Sequence, residues 1–240
     1  MGLDAAERGV ALVIAIMAMT LMLTLGGALV LLSSSETVIA ANFRTAHEAM
    51  YAADAAFERS LADLRGQSDW TPVLSGGVRS AFADGPPSGA RTLVDGSTID
   101  LDQITNLANC LKPIVCSAAD LTAPTTERPW GGNNPRWTLY AYGPLANMLD
   151  APAVRSAFYV VAFVGDDPSE NDGDPTRDGF SPAGNPNPGK GIVMIRAEAF
   201  GPRNAHKVIE ATVARLAVPP AAPGEQTSTE LRVLSWTEVR

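Results

Sequence analysis

Residues 7–32 read ERGVALVIAIMAMTLMLTLGGALVLL, a run that begins six residues into a chain of 240. From Val10 to Leu32 no side chain is charged, and the polar interruptions are Thr20 and Thr24, each able to bond back to a helix carbonyl. About 20 apolar residues cross a bilayer as a helix, so this run is long enough to span one. A cleaved secretory signal carries a basic start, a shorter apolar core and a small-residue cleavage site. Here Asp4 and Glu7 stand against Arg8, the core is longer, and the nearest cleavage-like triplet, residues 38–40, lies beyond Glu36. The run reads as a retained span.

The helical pattern continues past the span. Apolar residues recur at Ile39, Phe43, Ala46, Met50, Ala53, Phe57, Leu61 and Leu64, three or four apart. Between them Arg44, Glu48, Asp54, Glu58, Arg59, Asp63 and Arg65 make a solvated face, and alanine, the best helix former, fills much of the remainder. The first proline after the run is Pro72, and Gly66 stands where a C-terminal cap is expected. Residues 10–65 are therefore predicted as one helix of about 84 Å at 1.5 Å per residue. Its first half is apolar all round and its second half amphipathic. Periodicity alone fits a single-pass anchor equally well, with the helix continuing as a stalk or packing on its own domain.

After Gly66 the composition shifts to Gly, Pro, Ser and Asp, and residues 66–240 are enough for one further domain with its own core. Strands are expected in RTLVD, WTLYAYG, SAFYVVAFVG, GIVMIRAEAFG, HKVIEATVARLAV and LRVLSWTEV, several of them alternating as in a sheet with one covered face. The fourth and fifth form an antiparallel pair turning at residues 201–204, and PPAAPGEQ at 219–226 reads as a linker before a last strand. The amphipathic half of the long helix is the natural cover for this sheet. The expected fold is α+β, a ladle-like plan of one long helix on a mainly antiparallel sheet.

The formal net charge of −8 and the absence of a Lys/Arg cluster disfavour nucleic acid as a partner. Cys110 and Cys116, in CLKPIVC, read as a small disulfide loop in an oxidising compartment, with two free thiols as the alternative. The most chemically loaded segment is GDDPSENDGDPTRDG, where Asp166, Asp167, Glu170, Asp172, Asp174 and Asp178 crowd a Gly/Pro-rich turn. Such oxygen-rich loops suit calcium. The EF-hand pattern fails, because Gly173 at its sixth position places Pro168 at its first. A solvated acidic hairpin tip explains the segment as well.

Signs of catalysis are weak. His47, on the polar side of the long helix, and His206, at a strand start, read as surface residues. No H-E-x-x-H, G-x-S-x-G or phosphate-loop pattern occurs. GGNN at 131–134 reads as a turn, and Trp70, Trp130, Trp137 and Trp236 as core or interface anchors.

ERGVALVIAIMAMTLML followed by AMYAADAAFERSLADL resembles the N-terminal region of the PilX-type minor pilins of type IV pili. A fainter likeness runs through YVVAFVGDDPSENDGDPTRDG, IRAEAFGPRNAHKVIEATVARL and RVLSWTEVR. The resemblance implies that residues 1–9 are a leader, which a separate prepilin peptidase cuts after Gly9. The mature chain then begins at Val10, with a new amino group open to methylation. Residues 10–65 become a transmembrane and assembly helix, and residues 66–240 a β-rich pilin domain in the periplasm and then outside the cell. It further implies an inner-membrane location with the N-terminus cytoplasmic, followed by the pilus. Other pilins, other minor pilins, the peptidase and a tip adhesin are the implied partners, and adhesion and motility the implied settings.

One position departs from the pattern. Many pilins carry glutamate at the fifth mature position, where it meets the amino terminus of a neighbouring subunit; here that position is Ile14. The tip pseudopilin of type II secretion, similar in plan, also lacks it. The expectation is a non-enzymatic minor pilin that primes assembly or sits at the fibre tip, acting through helix packing. The alternative is an uncleaved single-pass envelope protein with a ligand- or partner-binding ectodomain.

Overall fold

The computed structural model describes residues 3–148, 155–170, 173–179, 189–218 and 228–239. The chain divides into two compact units, Met1–Thr45 and Ala46–Arg240, each treated by itself below.

The first unit is helix throughout its described length, the opening part of α1 (Leu3–Arg65). The hydroxyls of Thr20 and Thr24 donate to the carbonyls of Met17 and Leu21 at 2.9 and 2.8 Å. Each polar interruption of the apolar run is thus satisfied within the helix, as a bilayer requires.

The second unit is a five-stranded antiparallel sheet with helices on its faces. Its strands are β3 (Thr138–Pro144), β4 (Tyr159–Asp166), β5 (Ile192–Gly201), β6 (Ala205–Val218) and β7 (Ser228–Val239), lying side by side in chain order. The sequence-predicted strands all reappear in it except RTLVD, which contributes to β1 (Ala90–Thr92) in a separate hairpin with β2 (Thr98–Asp100). The β5–β6 turn falls at residues 201–204 as expected, with Arg203 and Asn204 in the left-handed region (φ 58° and 59°).

One face of the sheet is covered by the end of α1. Ala49, Ala52, Ala53, Ala56, Phe57, Leu61 and Leu64 are buried against the strand residues Val160, Ala162, Ile195, Ala197, Ile209 and Ala211. Four alanines and Phe57 make up most of this buried row. The sequence stripe is corrected at its start: Ile39 and Phe43 are 66% and 67% exposed, and the buried row begins at Ala49. Gly66 does follow the helix, but without a left-handed φ; the chain leaves through short bonds from Gly66 N–H to Asp63 O and Gln67 N–H to Leu64 O. Trp70, fully buried, then donates its Nε1–H to the Leu64 carbonyl at 3.1 Å and clamps this exit.

The expectation of a single covered face also needs correction. A second layer, α3 (Leu101–Cys110), lays Leu101, Ile104 and Ala108 with Leu93 on the opposite face of β3 and β4, against Trp137, Leu139, Tyr159, Val161 and Phe163. Every residue of β4 is buried, as suits a strand covered on both sides. A bulge at Tyr140 turns both Tyr140 and Ala141 toward the α1 side. Asn109, at the end of α3, completes the join by acting as a strand would: its Nδ2 donates to Trp137 O and its Oδ1 accepts from Trp137 N–H, both at 2.9 Å. The 219–226 segment read as a linker lies outside the described residues.

Candidate functional site

The apolar run is the most unusual surface of the molecule. Residues 10–32 lie in a helix long and apolar enough to cross a membrane, with a mean hydropathy of 2.3 in its best window, none of that window buried. Val10 and Ile14 are each 60% exposed. Around Gly26 and Gly27 an added Cβ would meet nothing within 4 Å. Ile14 offers no carboxylate to a partner, and the backbone between Gly9 and Val10 lies in the helix. Packing of some kind, lipid or protein, has to satisfy this surface, because exposed leucine, methionine and valine in a continuous sleeve are unfavourable in water.

The second unit carries three chemically distinct features. The first is the disulfide between Cys110 and Cys116, with Cα atoms 6.0 Å apart. It joins the end of α3 to the start of α4 (Ala118–Thr122), whose capping box is built by Ser117 and Asp120. Asp120 also pairs with Lys112 at 2.5 Å, and with the Ser117 bonds this holds its carboxyl at about 2.

The second is the acidic loop, whose carboxylates the structure spreads rather than gathers. Asp167 binds Ser169, while Asp174 binds Thr176 and pairs with Arg177 at 3.6 Å. The Thr176 hydroxyl is the main cause of the low carboxyl of Asp174. Asp166 and Glu170 are buried, at the end of β4 and just after it. Asp178 lines a cavity of about 340 Å³ with Asp69, Thr71, Arg177, Lys190 and Arg215, where it accepts from Gly191 N–H at 2.6 Å. Burial pushes its carboxyl up. Among the described residues no three His, Cys, Asp or Glu side chains converge as ligands would, and Asp172 lies outside those residues. The six-carboxylate calcium set expected from sequence is therefore not assembled by the described part of the loop.

The third feature escaped sequence reading. Glu198, 3% exposed, accepts from Arg196 Nε at 2.6 Å and meets His206 Nε2 at 2.9 Å, while Arg196 reaches Glu210 at 2.5 Å. His206 stacks on Phe200, ring centroids 4.5 Å apart. Burial pushes the Glu198 carboxyl up, but the His206 hydrogen bond and the Arg196 charge outweigh it and leave it low. The visible signal was R-x-E in a strand, which puts both side chains on one face. That Glu210 and His206 would join them depends on the β5–β6 register, Arg196 opposite Glu210 and Glu198 opposite Val208. The network braces the open face of the sheet and includes no nucleophile.

Residues 8–58 match the family model described as PilX N-terminal. No curated protein and no solved structure matches the chain. A long N-terminal helix, apolar then amphipathic and packed by its end on an antiparallel sheet, is a pilin-class architecture, and the matched segment spans both kinds of helix surface. Over that segment the chain is similar to the N-terminal region of the PilX-type minor pilins of type IV pili.

Proposed function

We propose that this chain is a non-enzymatic minor pilin that primes assembly of a type IV pilus or sits at its tip. The observation that carries the reading is the exposed apolar sleeve of residues 10–32 inside the 8–58 match. Before assembly the sleeve rests in the inner membrane, the solvent that suits it. During assembly it exchanges lipid for equivalent helices of other pilins, while the ectodomain meets other minor components. The first step is removal of residues 1–9 by the prepilin peptidase, which frees the Val10 amine.

Ile14 supports the tip or priming position. A carboxylate buried in a helix bundle is costly unless an amine reaches it. A subunit with no neighbour above it has no amine to receive, and an apolar side chain then costs least.

Intact mass of the membrane-extracted chain, with and without co-expressed prepilin peptidase, tests the class. The expected product starts at Val10 only when the peptidase is present. A chain beginning at Met1 in both samples would instead mark an uncleaved single-pass envelope protein. The position is tested by Ile14→Glu: at a tip it leaves a carboxylate unpaired and lowers assembly, so unchanged assembly would remove the argument for a tip.

A further inference from the structure

The two edges of the five-stranded sheet are treated differently by the chain. Along β3 runs an extended segment: Ser80 N–H donates to Tyr140 O at 3.0 Å, Asp84 N–H to Tyr142 O at 2.9 Å, and Tyr142 N–H to Phe82 O at 3.1 Å. Along β7 no strand pairs with the outer edge among the described residues. An open edge is usually blunted with lysine or proline. The β7 sequence STELRVLSWTEV contains neither; its charged residues Glu230, Arg232 and Glu238 and its bulge at Leu234 twist and charge the edge without occupying its outward backbone groups.

Which backbone groups of β7 face outward follows from the alternation of an antiparallel ladder. Arg215 N–H donates to Gly191 O. Arg215, Val213, Ala211 and Ile209 thus turn their backbone groups toward β5, and the residues between them toward β7. The β7 partners of those intervening residues are Glu230, Arg232, Ser235 and Thr237, which face inward. Leu231, Val233, Trp236 and Glu238 are left presenting their N–H and C=O groups outward. All four stand opposite Arg215, Val213, Ala211 or Ile209, so their side chains share the α1 side of the sheet. Leu231 is buried there, but Val233 and Trp236 are 39% and 46% exposed, and Leu234, the extra residue of a bulge, is 52% exposed.

We propose that β7 is an assembly edge that accepts an extended strand from a different protein subunit, with apolar side chains on the α1 side to cover Val233 and Trp236. Unpaired outward N–H and C=O groups define an extended backbone as the occupant, and the two exposed apolar side chains define the chemistry of one of its faces. The chain already closes its other edge in this way with residues 80–84. A second copy of β7 fits less well. Antiparallel pairing of β7 with itself places a two-fold axis normal to the sheet, which points the Ala46 ends of the two α1 segments in opposite directions. Two chains inserted from one membrane need them to point the same way. This last step rests on the minor-pilin reading; the open edge itself does not.

Val233→Pro tests the proposal, since it removes an outward N–H that no strand among the described residues pairs with and disrupts little at an edge. Trp236→Lys is the companion variant, adding a charge at the exposed position. Three readouts are taken on the full chain: intact mass after peptidase co-expression, the urea midpoint in detergent, and the amount in sheared pili. The expected result is normal cleavage to Val10, a midpoint near the parent's, and at least a ten-fold loss from pili for both variants. Retention of either folded, cleaved variant in pili at the parent level would overturn the strand-accepting edge. Failure of cleavage in the parent would instead count against the minor-pilin reading. Should Val233→Pro shift the midpoint, Trp236→Lys decides, together with hydrogen exchange of the parent. The amides of Val233 and Trp236 are expected to exchange rapidly in the detergent-extracted chain and slowly in pili, and equal exchange in both states would overturn the proposal.

Discussion

The two units of this chain use the same helix for opposite purposes. In Met1–Thr45 the leucines, methionines and valines of α1 from Val10 onward face outward and are exposed. In Ala46–Arg240 the continuing helix turns small alanines and one Phe57 onto the sheet and buries them. More apolar surface therefore marks the less self-sufficient unit. The second unit is stabilised by its own packing, whereas the apolar run is exposed along its length, and substitutions in the two should separate along that line.

The largest effect is expected from Phe57→Ala, which leaves a cavity between helix and sheet and costs about 3–5 kcal/mol. Urea unfolding of the full chain in detergent, followed through the buried Trp70 and Trp137, measures it; a loss below about 1 kcal/mol would show that the helix end is not part of the ectodomain core. Replacing Cys110 and Cys116 together by serine comes next. Opening this loop releases α3 from α4 and is expected to lower stability by about 2–4 kcal/mol, read in the same unfolding experiment.

Glu198→Gln sharpens the comparison within the ectodomain. It weakens the charged bonds to Arg196 and His206, at about 1.5–3 kcal/mol near neutral pH. The sign with pH follows from the low carboxyl of Glu198 in the fold. Its stabilising contribution is complete above the ordinary value of 4.5 and disappears as the pH falls below that through the depressed native value. The gap between parent and variant should therefore narrow as the pH is lowered from 5 toward the acid limit; a gap that widens would mean the carboxylate is not the stabilising form. The smallest effect belongs to Leu21→Ala. With Leu21 62% exposed, this change should move the unfolding free energy by less than about 0.5 kcal/mol. A loss comparable to Phe57→Ala would break the distinction between the units.

The parts legible in the sequence were those governed by local pattern. The apolar run, the helix through Arg65 and the strands from β3 to β7 each declare themselves by unbroken period or composition. The turn at residues 201–204 does so by Gly-Pro followed by Asn. The helix α3 was not legible, because its buried positions are only Leu101, Ile104, Ala108 and Asn109, too few to impose a period over ten residues. The start of the buried stripe was misplaced because Ile39 and Phe43 keep the helical spacing while standing exposed, ahead of the part of the helix that meets the core.

By itself the sequence determined which segments avoid water and how each would coil, since hydrophobic period and chain length act locally. It thereby determined the membrane-length helix and the strands of the sheet, and it favoured a short disulfide loop that the structure closes between Cys110 and Cys116. Only the tertiary structure decided which of those surfaces have partners. The β5–β6 register brought Glu210 and His206 to Arg196 and Glu198, the fold bonded Asp178 to Gly191 N–H, and the strand order left β7 at an edge while residues 80–84 closed β3. Those outcomes depend on contacts between residues far apart in the chain, which no local period encodes.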